Sequence, residues 1–326
     1  MVQQQALRDF AQAMQNYFAG THGKPGWRKA GRHEAFRIVA VRPWHVRRLN
    51  RKAGAVWVPK VGWVRFRWSR PVPNGVKSYR ITRDRASRWY VAFASAPKPI
   101  PGPGTGEVAG IDRGVTVSAA LSTGELLAVP RLSPALKRRL LRLQRTLART
   151  QRSSNRRQAV KLAIARLLAR ETDARKDWCE KVSTDLARRF DVIRIEDLKI
   201  ASMARSARGT NAEPGRNVSA KAGLNREIMA SGWGLLARRL EDKAPCRVER
   251  VSPAFTSQRC SACGRIASES RKSQALFACV TCRFACNADV NAARNIAAGH
   301  AVTARGGRPL GEPVNREPQH GGHRAA

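Results

Sequence analysis

This chain is poorest in acid and in long apolar sequence. Only 23 Asp and Glu stand against 62 Lys and Arg in 326 residues, a formal net charge of +39. A field of that strength calls for a polyanionic partner, either nucleic acid or an anionic membrane surface. No apolar run approaches the roughly 20 residues that a spanning helix needs, and no N-terminal pattern resembles a signal peptide. No membrane partner is therefore expected, and the cytoplasm is the expected compartment, with nucleoid association when DNA is bound. The six histidines are scattered and mostly terminal. Nothing resembles a tyrosine nucleophile beside a paired-His metal site, which sets direct strand transfer aside. A basic structural protein of the ribosomal kind would carry the same charge, so charge alone identifies a partner and not an activity.

Cysteine is used sparingly but with pattern. Seven are present, an odd number without a secretion signal, which argues against a disulfide framework. Four form two CxxC pairs, Cys260-Ser-Ala-Cys263 and Cys279-Val-Thr-Cys282, with fifteen residues between them. That spacing matches a structural zinc site, each pair giving two thiolates from one turn to a tetrahedron. Cys286 lies close enough to compete as a ligand, while Cys179 and Cys246 read as small buried or half-buried apolar residues.

Shifts in composition divide the chain. Leu7, Phe10, Met14, Tyr17 and Phe18 recur at helical spacing, predicting an amphipathic helix with a packed apolar face within an N-terminal segment 1–35. Over 36–96 apolar and basic residues alternate, as in Val64-Arg-Phe-Arg-Trp68, which predicts antiparallel strands of a small β-barrel with a basic exterior. The Pro/Gly-rich stretch 97–106 is a linker. Beyond it, 108–112 and 115–121 read as consecutive strands, 122–125 as a hairpin turn and 126–129 as the returning strand. Leu136, Leu140, Leu143 and Leu147 mark a basic helix, and Ser153-Ser-Asn155 can cap a second one, together a helical hairpin over 134–190. About two heptads per arm are short for coiled-coil pairing. A strand over 191–196, a mobile loop over 204–223, a helix over 225–243 and a strand over 247–251 follow, within a part spanning 107–254. The zinc ribbon occupies 255–286 and a last helix 287–302. The tail 303–326 has a Pro/Gly/His/Arg composition that forms no core.

Three acids stand out by position: Asp112 and Glu196 each end an apolar strand, and Asp289 opens the last helix. Phosphodiester hydrolysis with two divalent ions needs carboxylates that converge from remote segments, one ion activating water and the other steadying the leaving oxygen. Mg²⁺ or Mn²⁺ suits such hard oxygen ligands. Any one of these acids could serve only a turn or a cap. Glu196 beside Asp197 is harder to dismiss, since adjacent like charges repel unless a cation intervenes, and Asp197 itself reads as structural. Taken together, the acids, the ribbon and the basic charge point to a metal-dependent nuclease.

The motifs Gly110-Ile-Asp112-Arg-Gly-Val, Ile195-Glu196-Asp-Leu198, Thr256-Ser-Gln-Arg-Cys260-Ser-Ala-Cys263-Gly and Ala288-Asp289-Val-Asn-Ala-Ala-Arg-Asn-Ile296 resemble the TnpB/OrfB family of insertion-sequence proteins, over roughly residues 5–302. The resemblance implies an α/β RNase H-like (RuvC) nuclease domain with an inserted zinc ribbon and basic helical hairpin, preceded by a small wedge-like β-barrel domain and a remnant helical recognition segment. It implies RNA-guided DNA endonuclease activity associated with a transposable element, as in the related type V CRISPR effectors. Asp112, Glu196 and Asp289 would be its Mg²⁺- or Mn²⁺-binding catalytic acids, and Cys260, Cys263, Cys279 and Cys282 its Zn²⁺ ligands. Guide RNA and target DNA would be its partners, whether as a monomer or as a homodimer on one RNA. Two departures bear on this. Met1 falls near the middle of the family's recognition helices, which makes an RNA-guided binder that no longer cleaves the alternative. Asn287 stands where many relatives carry a charged residue.

Overall fold

The computed structural model describes residues 2–26 and 34–299. The expected tail 303–326 and the end of the last helix beyond 299 lie outside them. Contacts divide the chain into two compact units, residues 1–98 with 130–177 and residues 99–129 with 178–326. The predicted hairpin is thus shared between the units.

The first unit opens with helix α1 (Val2–Phe18). Strands β1 (Ala35–Val39), β2 (Val46–Arg48), β3 (Ala53–Val58), β4 (Gly62–Arg67), β5 (Ser78–Arg83) and β6 (Trp89–Ala94) follow. They form two antiparallel three-stranded sheets, β1-β5-β6 and β2-β3-β4, in place of the single barrel expected. A common core of Ile38, Val56, Val58 and Tyr79 joins them, and the Tyr79 hydroxyl donates to the Trp57 carbonyl at 2.5 Å. The alternating residues of β4 are half-buried and exposed in turn, as the pattern predicts. α1 departs from expectation: it has no buried residue, and Leu7, Phe10, Tyr17 and Phe18 are exposed.

The second unit begins with β7 (Val108–Asp112), β8 (Ala119–Leu121) and β9 (Leu126–Leu127), an antiparallel meander. Residues 115–118, expected as strand, are instead a turn. Arg113 is buried there, and Gly114 packs so tightly on Val117 that a Cβ would lie 2.8 Å from its carbonyl oxygen. Helix α2 (Pro134–Arg149), capped by Ser133, and helix α3 (Asn155–Arg189) form the hairpin arms, α3 ending in the second unit. Arg157 Nη1 donates to the carbonyls of Leu147 and Thr150 at 2.6 and 2.9 Å, satisfying the end of α2. Strand β10 (Val192–Glu196), short helix α4 (Ile200–Met203), helices α5 (Val218–Ser231) and α6 (Trp233–Lys243) and strand β11 (Val248–Val251) come next. The expected loop 204–223 is shorter, because α5 begins at Val218, and Gly232 at φ +77° separates α5 from α6. Cys179 is buried as expected, but Cys246 is exposed.

The sheet order is β11-β10-β7-β8-β9, with β7, β10 and β11 parallel. One face buries Ala109, Ile111, Ile193 and Ile195 against Leu186 and Phe190 of α3 and Leu236 and Leu240 of α6. Strands β12 (Leu276–Ala278) and β13 (Ala285–Asn287) form a two-stranded ribbon sheet, followed by helix α7 (Ala288–Ala297). α7 covers the other face and lies directly on β7. A Cβ at Gly110 would stand 2.0 Å from the Ala293 carbonyl oxygen and 2.3 Å from the Ala297 nitrogen. Only glycine permits that approach. Gly110→Ala is therefore expected to destabilise the chain by about 2–3 kcal/mol through overpacking, read as a lowered Tm; an unchanged Tm contradicts this contact.

Candidate active site

The strand register brings two of the three acids together. Ile111 pairs with Ile195, so the next residues, Asp112 and Glu196, end adjacent parallel strands side by side. Side chains alternate across a strand, so both acids share the face of Gly110, which α7 covers. Arg194, also on this face, donates to the Ala297 carbonyl at 2.5 Å. The C-terminal end of α7 therefore lies toward the strand starts, and its first turn, with Asp289, lies toward the strand ends. Asn287 caps α7, its Oδ1 accepting from the N–H of Asp289 and Val290 at 2.9 and 3.2 Å.

Burial, then repulsion from Glu196 and from Asp289, pushes Asp112 up to about 7. Glu196 is 7% exposed and raised by burial, opposed by the Thr256 hydrogen bond and the Arg113 charge. Asp289 is 6% exposed and raised by burial, opposed by Arg271, whose Nη2 lies 3.4 Å from its Oδ1. Asp197 does not join the cluster: Lys199 and Arg250 pair with it at 2.6 and 3.0 Å and hold its carboxyl low. The cations that intervene beside Asp197 are thus side chains of the chain. Carboxylate oxygens are donors of the kind that suits hard divalent cations, but among the described residues only the four cysteines bring three or more ligand atoms within 4.8 Å of one another.

Several supporting residues carried no sequence signal of their own. Thr256 Oγ1 donates to Glu196 Oε1 at 2.7 Å, with the Pro253 carbonyl as a second acceptor at 3.1 Å. Buried Arg113 donates to the main-chain carbonyl of Glu196. Asn291 and Asn295, one turn apart on α7, donate to the Arg259 carbonyl at 2.7 Å each, and Asn295 also to that of Thr256 at 2.9 Å. For Asn291 and Asn295 the available hint was two amides at i and i+4 among the alanines of the last helix. Arg271 could not be singled out among so many arginines.

The four expected cysteines also meet. Their sulfurs all lie within 4.8 Å of one another, and the Cys260–Cys282 and Cys263–Cys279 Sγ separations are 3.7 Å. A tetrahedron with Zn–S bonds near 2.3 Å has edges of about 3.8 Å, so the set fits that ion. Backbone N–H groups of Cys282 and Thr281 pull Cys279 down to about 6, whereas burial pushes Cys260 up to about 12. Cys286 is not in the cluster; its thiol faces the Asn287 carbonyl at 3.4 Å.

A family model named OrfB_IS605, described as a probable transposase, matches residues 92–207, and a Cas12f1-like TNB domain model matches residues 233–296. The chain is 39% identical over 321 residues to the putative RNA-guided DNA endonuclease InsQ of Escherichia coli (strain K12), covering 97% of this chain and 78% of that protein. It is 32% identical over 336 residues to a putative RNA-guided DNA endonuclease of Streptomyces pristinaespiralis, with the same coverages. Among solved structures, the cryo-EM structure of a Cas12f1–sgRNA–target DNA complex shares the fold, with a TM-score of 0.50 and 15% identity over 87% of this chain and 68% of that one.

Asp112 holds its proton more tightly folded than unfolded, so between about pH 4, where a free Asp ionises, and about pH 7, the folded state carries the extra proton. Stability then falls as pH rises through that window. In metal-free protein the Tm is expected to drop across it, and Asp112→Asn to flatten the drop; identical pH profiles for the two proteins would count against the shift.

Proposed function

The chain belongs to the OrfB_IS605 family of probable transposases, and from that premise we propose that it is an RNA-guided DNA endonuclease. Asp112, Glu196 and Asp289 are its catalytic acids, on an RNase H-like sheet. The reading is carried by one observation: the β7–β10 register sets Asp112 and Glu196 side by side at the strand ends, and the helix covering that face carries Asp289 in its first turn. The sheet, a meander β7-β8-β9 extended by parallel β10 and β11, accords with that fold.

Mg²⁺ or Mn²⁺ ions, when bound, would lower the pKa of the attacking water and stabilise the leaving 3′ oxygen. The chain's own groups prepare for this. Asp112 gives up its proton as the acids become ligands. Thr256 and Arg113 hold the side chain and the main chain of Glu196, so neither has to reorganise. Arg271 supplies positive charge beside Asp289, where an entering phosphate meets a charge-assisted donor. Cys260, Cys263, Cys279 and Cys282 hold Zn²⁺, which stabilises the ribbon that carries Arg271.

Guide RNA and target DNA account for the net charge of +39. The RNA reads the sequence by pairing, while the protein grips backbones by charge and shape. No helix among the described residues is long and apolar enough to cross a membrane. Each of Asp112→Ala, Glu196→Ala and Asp289→Ala is expected to abolish cutting of guide-matched DNA in Mg²⁺ while leaving RNA affinity within about twofold. Wild-type rates in any one of them remove that residue from the site. Zinc should be present at one ion per chain and contribute on the order of 10 kcal/mol to local folding. Chelation is then expected to abolish hydrogen-exchange protection over 255–290, and retained protection contradicts the zinc assignment.

A further inference from the structure

Phe255, next in sequence to Thr256, has a backbone conformation that bulky residues avoid, with φ +59°. Burial does not compensate for it: the residue is 44% exposed. Every other Phe, Tyr or Trp among the described residues of this unit is buried or half-buried, so this one aromatic surface faces solvent alone.

The surrounding backbone is anchored on both sides. The Phe255 carbonyl accepts from the N–H of Gln258 and of Arg259, each at 3.0 Å. The next residue, Thr256, is fixed to Glu196 of β10 through its hydroxyl at 2.7 Å and to Asn295 of α7 through its carbonyl at 2.9 Å. Phe255 is thus one residue from a direct ligand of a proposed catalytic acid, on a turn tied to both elements that build the site. A glycine would adopt this turn without strain. Phenylalanine there gives the turn a rigid, exposed π face. A backbone outlier next to a functional cluster is where strain serves mechanism.

We infer that Phe255 is a positioning residue on which an unpaired nucleobase of the cleaved strand stacks, setting the scissile phosphodiester over Asp112, Glu196 and Asp289. The inference rests on the endonuclease reading above. Stacking suits a guided enzyme because every base has a π face, so the contact holds the strand without choosing its sequence. Single-stranded DNA is the class of ligand, since a base paired within a duplex has no face to offer.

The test uses single-stranded oligodeoxynucleotides carrying 2-aminopurine at one position at a time, bound to the full chain in Ca²⁺. Wild type is expected to quench the fluorophore at one or two adjacent positions. Phe255→Ala and Phe255→Gly should lose that quenching, and Phe255→Tyr should keep it. In guided cleavage Phe255→Ala should slow cutting about tenfold or more, with Phe255→Tyr close to wild type and all Tm values within a few degrees. Absence of position-specific quenching in wild type overturns the proposal, as does its persistence in Phe255→Ala. Failure of Phe255→Tyr to rescue, with a large fall in Tm, assigns the residue to the turn alone and also overturns it. Failure of the endonuclease reading shows separately, as unchanged cutting by Asp112→Ala.

Discussion

The second unit depends on the direct contact of a helix with a strand at Gly110. Because that residue has no side chain, α7 settles onto β7 with its backbone within van der Waals reach of the strand, and its first turn arrives at the strand ends. The consequence is electrostatic. Asp289 is carried to the end of the sheet at which Asp112 and Glu196 stand, and burial, with smaller repulsion from Glu196 and Asp289, pushes Asp112 up to about 7. Apolar burial on the far face, through Ile111, Ile193 and Ile195, supplies stability that tolerates such a concentration of like charge.

The ribbon is joined to α7 by polar contacts as well as by Ala288, which packs in one apolar cluster with Cys260, Phe277 and Cys279. Asn291 and Asn295 hold the carbonyls of Arg259 and Thr256, Asn291 Oδ1 accepts from the Ser261 N–H at 3.0 Å, and Arg271 reaches Asp289. Buried amides bonded to several main-chain groups fix a single geometry for the ribbon against α7. Away from the acids the chain is built for polyanions. Residues 131–170 contain thirteen Lys and Arg and no acid, and most of this stretch forms α2 and the first half of α3.

Much of this was legible beforehand because the signals were local. CxxC spacing, acids ending apolar runs and a Ser-Ser-Asn break between leucine-patterned helices each depend on a few neighbouring residues, and each appears where expected. What escaped depended on tertiary partners. The apolar stripe of α1 has helical periodicity, which says nothing about whether a neighbour covers it, and Phe10 and Phe18 are exposed. Val115 and Val117 look like strand residues, but the chain bends there, between buried Arg113 and the start of β8 at Ala119. Alternation over 36–96 predicted strands but not their division into two sheets, since strand partners are chosen by registry across the unit. Thr256, Arg113 and Arg271 matter for what they touch, and contact is invisible in composition.

The central claim is that Asp112, Glu196 and Asp289 jointly hold divalent cations. Electron paramagnetic resonance of the metal-free chain titrated with Mn²⁺ at pH 8 tests it most directly. Two bound ions per chain are expected, with the broadened signal of a spin-coupled pair about 4 Å apart, reduced to at most one uncoupled ion by Asp112→Asn. Two isolated Mn²⁺ signals, or a spectrum that Asp112→Asn leaves unaltered, would contradict it.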